Sequence, residues 1–409
     1  MKVGIEAIHA YGGRACIDVG ELGRARGLDS ARFEHLLMKR KTVSFPFEDP
    51  VSFAVNAARP LVDALSERQR RRIELLIVST ESGIDFGKAM STYVHHHLGL
   101  ERNCRTFELK QACYAGTAAL QMATHFVLSN TSPGAKALVI CTDVARPIPH
   151  SYAEPSQGAT AVALLVGSEP EVLELEQGAN GYYGYEVMDS CRPTPETETG
   201  DADLSLLTYL DCLQNTFELY RQRVGDIDFQ RHFTYLAFHT PFGGLVKGAH
   251  RTMMRRYNPG PPASIEEDYQ RRLEPSLRYC QEVGNAYSAT VFLALCGVLE
   301  QGSFPRSERI GLFSYGSGCC SEFYSGIATE RSRQAVARMG LGRQLAERET
   351  LTMAEYDRLL EANRAVLFGE ANKTIERTAF REHYERCFAG RRLLVLDSIS
   401  GYHRRYVWS

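Results

Sequence analysis

The stretch Arg105–Thr142, RTFELKQACYAGTAALQMATHFVLSNTSPGAKALVICT, decides the fold class. Its first residues indicate a short strand, and Lys136–Thr142 is a continuous apolar run typical of a strand covered on both faces. Between them, Ala112–Ser129 is small and apolar on nearly every side, so this segment must be a core helix. A buried helix between two strands predicts an α/β protein.

The rest of the chain extends this pattern. Further strands are predicted at Met1–Tyr11, Glu74–Ser79, Thr160–Val166, Thr234–Phe238, Ile310–Tyr315 and Leu393–Leu396. Further helices are predicted to begin near Asp49, Phe242, Asn285 and Thr352. The turn-rich segments Gly178–Gly184 and Pro193–Asp203 predict long connections or surface insertions. We therefore expect two strand-bearing halves, residues 1–170 and 171–409, that share one body.

Composition excludes several classes of protein. The 409 residues are 44% hydrophobic, which is enough for a large core, and the net charge of −2 argues against nucleic-acid binding. Apolar runs of about ten residues are well short of the ~20 that a membrane-spanning helix needs. The amino terminus lacks the features of a secretory signal, so we expect no membrane partner and a cytoplasmic location.

The cysteines and histidines do not indicate a metal site. Eleven cysteines are scattered without a Cys-x-x-Cys pair, which argues against a disulfide framework and against structural zinc. The run His95–His97 places neighbouring side chains in different directions on a helix. No metal is predicted.

A candidate nucleophile is Cys113 in Lys110–Gly116 (KQACYAG), directly after a predicted strand and in the first turn of the core helix. A thiol there faces the unpaired N–H groups and the positive end of the helix, which predicts a lowered pKa and a reactive thiolate. Taken alone, an inert buried cysteine is the commoner case.

Two further candidates follow predicted strands. Glu81 in Ser79–Asp85 (STESGID) is placed where ligands bind in open α/β sheets, and it suits a general base or acid. His239 in Phe238–Gly244 (FHTPFGG) can exchange a proton or hydrogen bond with a substrate carbonyl. Taken alone, Glu81 is equally a carboxylate that caps a turn, and His239 a core histidine.

Two other motifs suit substrate binding. Asn285 begins a predicted helix, where its amide either caps that helix or fixes a substrate carbonyl. The glycines of Ser314–Gly318 (SYGSG) allow backbone N–H groups to approach a ligand and to form half of an oxyanion hole. This segment has no lysine that would indicate a phosphate loop.

Taken in order, the segments TESGID, KQACYAGTAAL, AFHTPF, VGNAYS and SYGSG resemble the 3-hydroxy-3-methylglutaryl-CoA synthase family of the thiolase superfamily. The resemblance spans the chain. It implies the thiolase fold, with two pseudo-symmetric βαβ-rich halves and two central sheets in an α-β-α-β-α arrangement, and a homodimer. It also implies that Cys113 is acylated, that Glu81 is the general acid/base and that His239 positions the acceptor.

A finer resemblance is to the polyketide branch of this family, whose members act on acyl carrier proteins. The segments that carry it include GIEAIHAYGG (4–13), GIDFGKAMSTY (83–93) and VKGAHRTMM (246–254). It implies no cofactor, a donor acetyl carrier, and an acceptor β-ketoacyl carrier whose product is a 3-hydroxy-3-(carboxymethyl)acyl chain. Where the primary-metabolism enzymes have an active-site tyrosine, this chain has Pro147, and whether Tyr152 substitutes is left open.

The resemblance further implies substrate-binding roles for Asn285, Tyr315, Ser317 and Thr117. A separate sequence pattern suggests where a carrier docks. On the predicted helix after His239, the cations Lys247, Arg251 and Arg255 recur every four residues and so lie on one face. Such a stripe suits a phosphopantetheine phosphate and an acidic carrier surface, although charge stripes are usually only solvated.

Three other functions compete with this interpretation. The first is a primary-metabolism synthase that uses acetyl-CoA and acetoacetyl-CoA. The second is a decarboxylating ketosynthase, since Cys113, His239 and Asn285 also fit a Cys-His-Asn arrangement, but Glu81 argues against it because such an enzyme needs no base to deprotonate acetyl. The third is an idle homologue that only holds acyl carriers.

Overall fold

The computed structural model describes residues 1–29, 33–151, 153–195, 197–364 and 368–409. Its strands are β1 (Gly4–Tyr11), β2 (Ala15–Asp18), β3 (Arg40–Val43), β4 (Ile73–Ser79), β5 (Arg105–Leu109), β6 (Lys136–Val144), β7 (Ala159–Gly167), β8 (Leu173–Gly184), β9 (Ser190–Thr194), β10 (Thr197–Gly200), β11 (Tyr235–Phe238), β12 (Glu308–Gly316), β13 (Cys320–Ala328), β14 (Glu349–Thr350), β15 (Asn372–Thr374), β16 (Leu394–Ser400) and β17 (His403–Trp408). Its α-helices are α1 (Val19–Ala25), α2 (Pro50–Ala64), α3 (Glu67–Arg70), α4 (Ser91–His97), α5 (Ala115–Leu128), α6 (Ala202–Val224), α7 (Phe229–His232), α8 (Gly243–Tyr257), α9 (Pro262–Arg272), α10 (Leu277–Val283), α11 (Thr290–Gln301), α12 (Glu330–Met339), α13 (Leu341–Ala346), α14 (Met353–Arg364) and α15 (Arg381–Cys387).

The main sheet contains the same strand arrangement twice. Its order is β11-β12-β13-β8-β1-β7-β6-β4-β5. In the first half, β4 and β6 are parallel, and β6, β7 and β1 then alternate in direction. In the second half, β11 and β12 are parallel, and β12, β13 and β8 alternate in the same way. The two halves are therefore pseudo-symmetric about the β1–β8 pair, and the first half has one more strand.

The two half-sheets are hydrogen-bonded to each other, which differs from the expected pair of separate sheets. β1 meets β8 at the antiparallel pairs Gly4↔Glu174 and Ile5↔Leu173. Gly4 makes this approach possible, because a Cβ atom there would lie 2.0 Å from the carbonyl oxygen of Leu173. Within the described residues, the nine strands of the two halves thus form one continuous sheet.

Helices cover both halves of this sheet and form layers with it. One apolar cluster contains α5, α11 and the inner faces of both halves, with Ala119 and Leu295 among its fully buried members. Helix α2 packs on the outer face of the first half, and α6 and α8 pack on the outer face of the second. Within the described ranges, no helix is long and apolar enough to cross a membrane.

The structure confirms the predicted strands and helices but corrects one of the two predicted connections. Residues 178–184 form the second part of β8, whereas residues 193–194 and 197–200 belong to the separate β9–β10 pair outside the main sheet, and Ala202 begins α6. The glycines indicated a turn, yet Gly181 serves close packing. A Cβ atom there would lie 2.0 Å from the Thr216 carbonyl oxygen in α6.

The end of the chain returns to the first half. The side chain of Asn56 in α2 donates to the Leu394 carbonyl at 3.1 Å and accepts from the Leu394 N–H at 2.8 Å. Strand β14 also pairs in parallel with β2. The division at residue 170 remains a prediction, and residues assigned to the second half complete the packing of the first.

We expect Gly181→Ala to lower the free energy of unfolding by at least about 2 kcal/mol, because the added methyl group would overlap the α6 backbone. Urea unfolding measures this change. Gly248→Ala in α8 is the matched control, since a Cβ atom there meets nothing within 4 Å. It should raise stability by up to about 1 kcal/mol. Equal effects of the two variants would contradict the packing argument.

Candidate active site

The candidate site lies where three parallel strands end. Ser79, the last residue of β4, is paired with Leu109 of β5 on one side and with Cys141 of β6 on the other. Glu81 follows β4 and Cys113 follows β5. Because the carboxyl ends of parallel strands meet at one edge of a sheet, residues distant in sequence are brought together there.

Cys113 and Glu81 are in direct contact. The Sγ–H of Cys113 donates to Oε1 of Glu81 at 3.4 Å. Both residues are half-buried, so the thiol is neither sealed in the core nor fully solvated. Two residues that the sequence analysis singled out separately, a thiol and a carboxylate, thus share one hydrogen bond.

The expected thiolate stays a prediction, and the surroundings of Cys113 oppose it. Helix α5 begins at Ala115, so Cys113 precedes its first turn. Burial raises the pKa of the Cys113 thiol well above its ordinary value, and the Glu81 carboxylate raises that pKa further. Both effects favour the neutral thiol, which would need a base in order to attack a substrate.

Glu81 has the properties of that base. Burial, followed by the neighbouring Asp143 carboxylate, raises the pKa of Glu81 to about 8. The opposing effects are the positive charge of Arg192 and the hydrogen bond from Cys113. A carboxylate whose pKa lies near neutrality can accept a proton and return it within one reaction cycle.

Asp143, which the sequence analysis did not single out, positions the Glu81 loop. Its Oδ1 accepts hydrogen bonds from the Glu81 N–H at 2.8 Å and from the N–H and hydroxyl of Ser82 at 3.0 and 2.8 Å. The Thr80 hydroxyl donates to the same oxygen at 3.0 Å. The signal was an aspartate at the end of a buried strand in Thr142–Arg146 (TDVAR), next to the strand that carries Glu81.

A second missed group is an ion-paired cluster from the β9–β10 hairpin. Arg192 contacts Glu198 at 2.9 Å and donates to the hydroxyl of Tyr287. The Nε2 of Gln157 donates to both oxygens of Glu198 at 3.0 Å. Glu198 lies in the segment Pro193–Asp203 that the sequence indicated only as a connection or surface insertion, and Arg192 directly precedes it, so the pattern gave no sign of either residue.

His239 is fixed at the end of β11. Its backbone N–H donates to the Phe313 carbonyl at 2.8 Å, and Nδ1 of its imidazole ring lies 2.6 Å from Oγ1 of Thr290. Burial lowers the pKa of His239 to about 3, so the ring is neutral. Ser288, two residues before Thr290, lies 3.2 Å from the Ser79 hydroxyl, which connects the His239 anchor to the strand that leads to Glu81.

The SYGSG segment packs on the loop that carries Cys113. A Cβ atom on Gly316 would lie 2.5 Å from the Gln111 carbonyl and 2.6 Å from the Tyr114 nitrogen, so only glycine fits. Ser317 follows directly. Its backbone is therefore placed close to the nucleophile loop, although its role in an oxyanion hole stays a prediction.

Other predicted binding residues are used by the protein itself. The Tyr315 hydroxyl donates to Asp189, which also accepts from the Gly318 N–H at 2.9 Å. Asn285 accepts from the Tyr287 N–H at 2.9 Å through its side chain. Thr117 is fully buried in α5. The structure therefore gives Tyr315 and Asn285 loop-fixing contacts and gives Thr117 a packing position, while their substrate roles stay predictions.

The cationic stripe lies on α8 as its spacing predicted. Lys247 pairs with Glu266 at 2.6 Å, and both side chains are partly exposed. Arg251 and Arg255 are exposed, and neither has an acidic partner within 4 Å in the described part of the chain. Pro147 lies in the loop after β6, and Tyr152 lies outside the described residues.

The sequence matches two models of one family. Residues 1–171 match the hydroxymethylglutaryl-coenzyme A synthase N-terminal model, and residues 263–386 match the corresponding C-terminal model. The chain belongs to the hydroxymethylglutaryl-CoA synthase family.

Two kinds of relative are similar to all or most of the chain. The polyketide biosynthesis 3-hydroxy-3-methylglutaryl-ACP synthase PksG of Bacillus subtilis is 53% identical over 418 residues, which cover 100% of this chain and 99% of PksG. The HMG synthase of the curacin biosynthetic pathway, solved in complex with holo donor-ACP, has a TM-score of 0.98 at 55% identity and full coverage of both chains. The hydroxymethylglutaryl-CoA synthase of Enterococcus faecalis is 33% identical over 87% of this chain and 91% of its own.

The structural similarity also confirms the fold class. The chain has the α/β thiolase fold of these synthases, with the two strand arrangements described above. In the described residues, no group of three or more His, Cys, Asp or Glu side chains is arranged to hold a metal ion.

We expect Glu81→Gln to move the alkylation of Cys113 by iodoacetamide to lower pH. Alkylation requires the thiolate, and removal of the Glu81 negative charge removes one cause of the raised Cys113 pKa. Mass spectrometry of the Cys113 peptide across a pH series measures the midpoint. Glu108→Gln is the matched control, because that half-buried carboxylate bonds the Met90 N–H and should leave the midpoint unchanged. A midpoint that rises in Glu81→Gln would refute the assigned electrostatics.

Proposed function

We propose that the protein is an HMG-synthase-like acyltransferase of polyketide β-branching. It takes acetyl from a donor acyl carrier protein and condenses it with the β-ketone of an acceptor β-ketoacyl carrier protein. It then hydrolyses its own thioester, which leaves a 3-hydroxy-3-(carboxymethyl)acyl chain on the acceptor carrier. The observation that carries this proposal is the contact between the Cys113 thiol and the Glu81 carboxylate.

Three similarities support the use of carriers. PksG, at 53% identity over the whole chain, is named as an ACP synthase of polyketide biosynthesis. The curacin HMG synthase was solved with apo, holo and acetyl donor-ACP. The primary-metabolism relative is more distant at 33% identity. The departure at Pro147 also separates this chain from the primary-metabolism pattern.

In the first step, Glu81 takes the proton of the Cys113 thiol as the sulfur attacks the acetyl thioester of the donor. The tetrahedral oxyanion is stabilised by backbone N–H groups at Cys113 and Ser317. The thioester bond to the carrier then breaks, and the departing carrier sulfur receives the proton from Glu81. This leaves acetyl on Cys113 and Glu81 ionised again.

In the second step, Glu81 removes a proton from the methyl group of the acetyl-enzyme, and the resulting enolate carbon attacks the acceptor β-ketone. His239 donates a hydrogen bond to the ketone oxygen, and that oxygen becomes the new hydroxyl by taking the proton that Glu81 removed, which leaves Glu81 ionised again. Two changes make deprotonation easier in the acetyl-enzyme: the thiol that bonded Glu81 is gone, and the carboxylate faces the methyl group.

In the third step, water attacks the Cys113 thioester that now carries the condensed chain. The C–S bond breaks, the thiol is regenerated and a free carboxylate is released on the acceptor side. Cleavage of a thioester is favourable, so it draws the reversible condensation forward. The acceptor carrier keeps its own thioester throughout.

The stripe of Lys247, Arg251 and Arg255 on α8 provides the docking surface in this proposal. Phosphopantetheine phosphates and acidic carrier surfaces are bound by exposed cations. Helix α8 begins at Gly243, four residues after His239, so a docked carrier would place its arm near the site.

A homodimer belongs to the same proposal. Strand β5 is at the end of the main sheet, where it pairs with β4 on one side. Such an edge can pair with the same strand of a second copy. Because β5 leads directly to Cys113, dimer formation would also fix the nucleophile loop.

We expect wild-type protein to form condensed product from acetyl and acetoacetyl groups on carrier proteins, and to turn over the CoA thioesters at least tenfold less efficiently. Glu81→Ala should still gain an acetyl mass on Cys113, but more slowly because the thiol has lost its base, and it should release condensed product at least about 100-fold more slowly, the usual contribution of a general base. Intact-mass spectrometry of the enzyme and carriers measures both steps.

Each competing function has its own outcome in this experiment. Equal turnover of CoA thioesters would identify a primary-metabolism synthase, and condensation only with a malonyl thioester would identify a decarboxylating ketosynthase. Failure of Cys113 to acquire acetyl from any donor would leave a scaffold protein. Normal turnover by Glu81→Ala would refute the role of Glu81.

We expect the double variant Lys247→Ala, Arg251→Ala to require at least fivefold more donor carrier for half-maximal acetylation, because two phosphate-binding charges are lost. Acetylation by acetyl-N-acetylcysteamine, which has no phosphate or carrier, should be unchanged. Arg256→Ala is the control on the same helix, since its side chain contacts Gln214 instead. Equal losses with both donors would show that docking is not the cause.

A further inference from the structure

A cavity of about 690 Å³ lies beside the candidate active site and is not used by the mechanism above. Its walls are the loop after β6, strand β3 and the segments 360–364 and 373–380 near the carboxyl end. Apolar side chains that line it include Pro147, Ile148, Leu360, Ile375 and Phe380. This volume and this apolar lining are typical of sites that bind organic ligands.

Two residues that line the cavity form hydrogen bonds with residues of the candidate active site. Val144 lines the cavity, and its N–H donates to the hydroxyl of Ser82, the residue after Glu81, at 3.1 Å. Gln157 also lines it and bonds Glu198 at 3.0 Å, the partner of Arg192. Val144 therefore lies directly between the cavity and the Glu81 loop, and Gln157 lies between the cavity and the Arg192–Glu198 ion pair.

Two buried charged groups in the cavity wall, Lys41 and Glu48, are already satisfied by the protein, and Lys373 and Glu376 of the wall are exposed. Buried Lys41 donates to the Glu154 carbonyl, and buried Glu48 accepts from the Tyr11 hydroxyl at 2.9 Å and from the Phe45 N–H at 3.0 Å. A charged ligand would have to compete for these partners. An apolar ligand would need none of them, so the lining favours a hydrocarbon chain.

We propose that this cavity holds the acyl chain of the acceptor beyond its β-ketone. The inference rests on the proposed function. In this arrangement the ketone carbon lies beside the acetyl methyl group on Cys113, and the thioester side leads to the carrier arm near His239 and α8. The remaining carbons must leave past the opposite side of the reacting atoms, and Ser82 and Val144 connect that side to the cavity. Such a pocket would select acceptors by chain length.

The direct test is photo-crosslinking with a carrier-bound β-ketoacyl chain of about ten carbons that ends in a diazirine. Peptide mapping should place the label within 144–149, 360–364 or 373–380. Labels confined to other segments would refute the cavity assignment even if condensation proceeds. A label in these segments without any condensed product would support the cavity and refute the proposed reaction, so the two failures are distinguishable.

The second test places a large side chain in the cavity wall, at Ala379. Ala379→Trp should lower kcat/KM for the ten-carbon acceptor at least tenfold, because each buried methylene contributes about fourfold to affinity. Turnover of acetoacetyl-carrier and acetylation of Cys113 should stay within twofold, which also reports correct folding. The control is Ala263→Trp at an exposed position of α9. Equal losses for both acceptors, or none for the long one, would overturn the proposal.

Discussion

The site depends on the hydrogen bonds that tie the Glu81 loop to Asp143. Strands β4 and β6 end side by side, and one carboxylate oxygen of Asp143 accepts the N–H groups of Glu81 and Ser82. This fixes the backbone of the base and also places a second carboxylate beside it. The contact that fixes the Glu81 backbone therefore also brings two carboxylates together, and their negative charges repel each other. Burial raises the pKa of Asp143 to about 7 and, with Asp143, that of Glu81 to about 8.

This repulsion is useful because it raises the pKa of both carboxylates and so favours their protonated forms. Two carboxylates and a thiol share a poorly solvated space, and Arg192 is the cation that lowers the pKa of both Glu81 and Asp143. A fully ionised cluster would repel a developing thiolate and a developing enolate. A cluster with pKa values near neutrality can take a proton from Cys113 and later from the acetyl methyl group, since each transfer relieves repulsion instead of adding to it.

Much of the fold was predictable because burial leaves a strong pattern. The apolar runs of β4, β6 and β7 fixed the class, and motifs at strand ends identified Glu81, Cys113 and His239. The protonation of Cys113 was not predictable, because it depends on where α5 begins and on carboxylates from other strands. Arg192 was missed for the same reason, since its neighbours are distant in sequence. Gly181 misled the interpretation because glycine marks both turns and close packing.

The tautomer of His239 is set by one proton on Thr290. The Thr290 hydroxyl lies 2.6 Å from His239 Nδ1 and 2.9 Å from the Tyr287 carbonyl, and it can donate to only one of them. Polarising the acceptor ketone requires a proton on Nε2 of a neutral ring, so Nδ1 must accept from Thr290. The Tyr287 carbonyl then keeps the Thr290 backbone N–H as its donor. Because the Tyr287 hydroxyl also accepts from Arg192, the histidine and the Glu81 electrostatics are joined through a single loop.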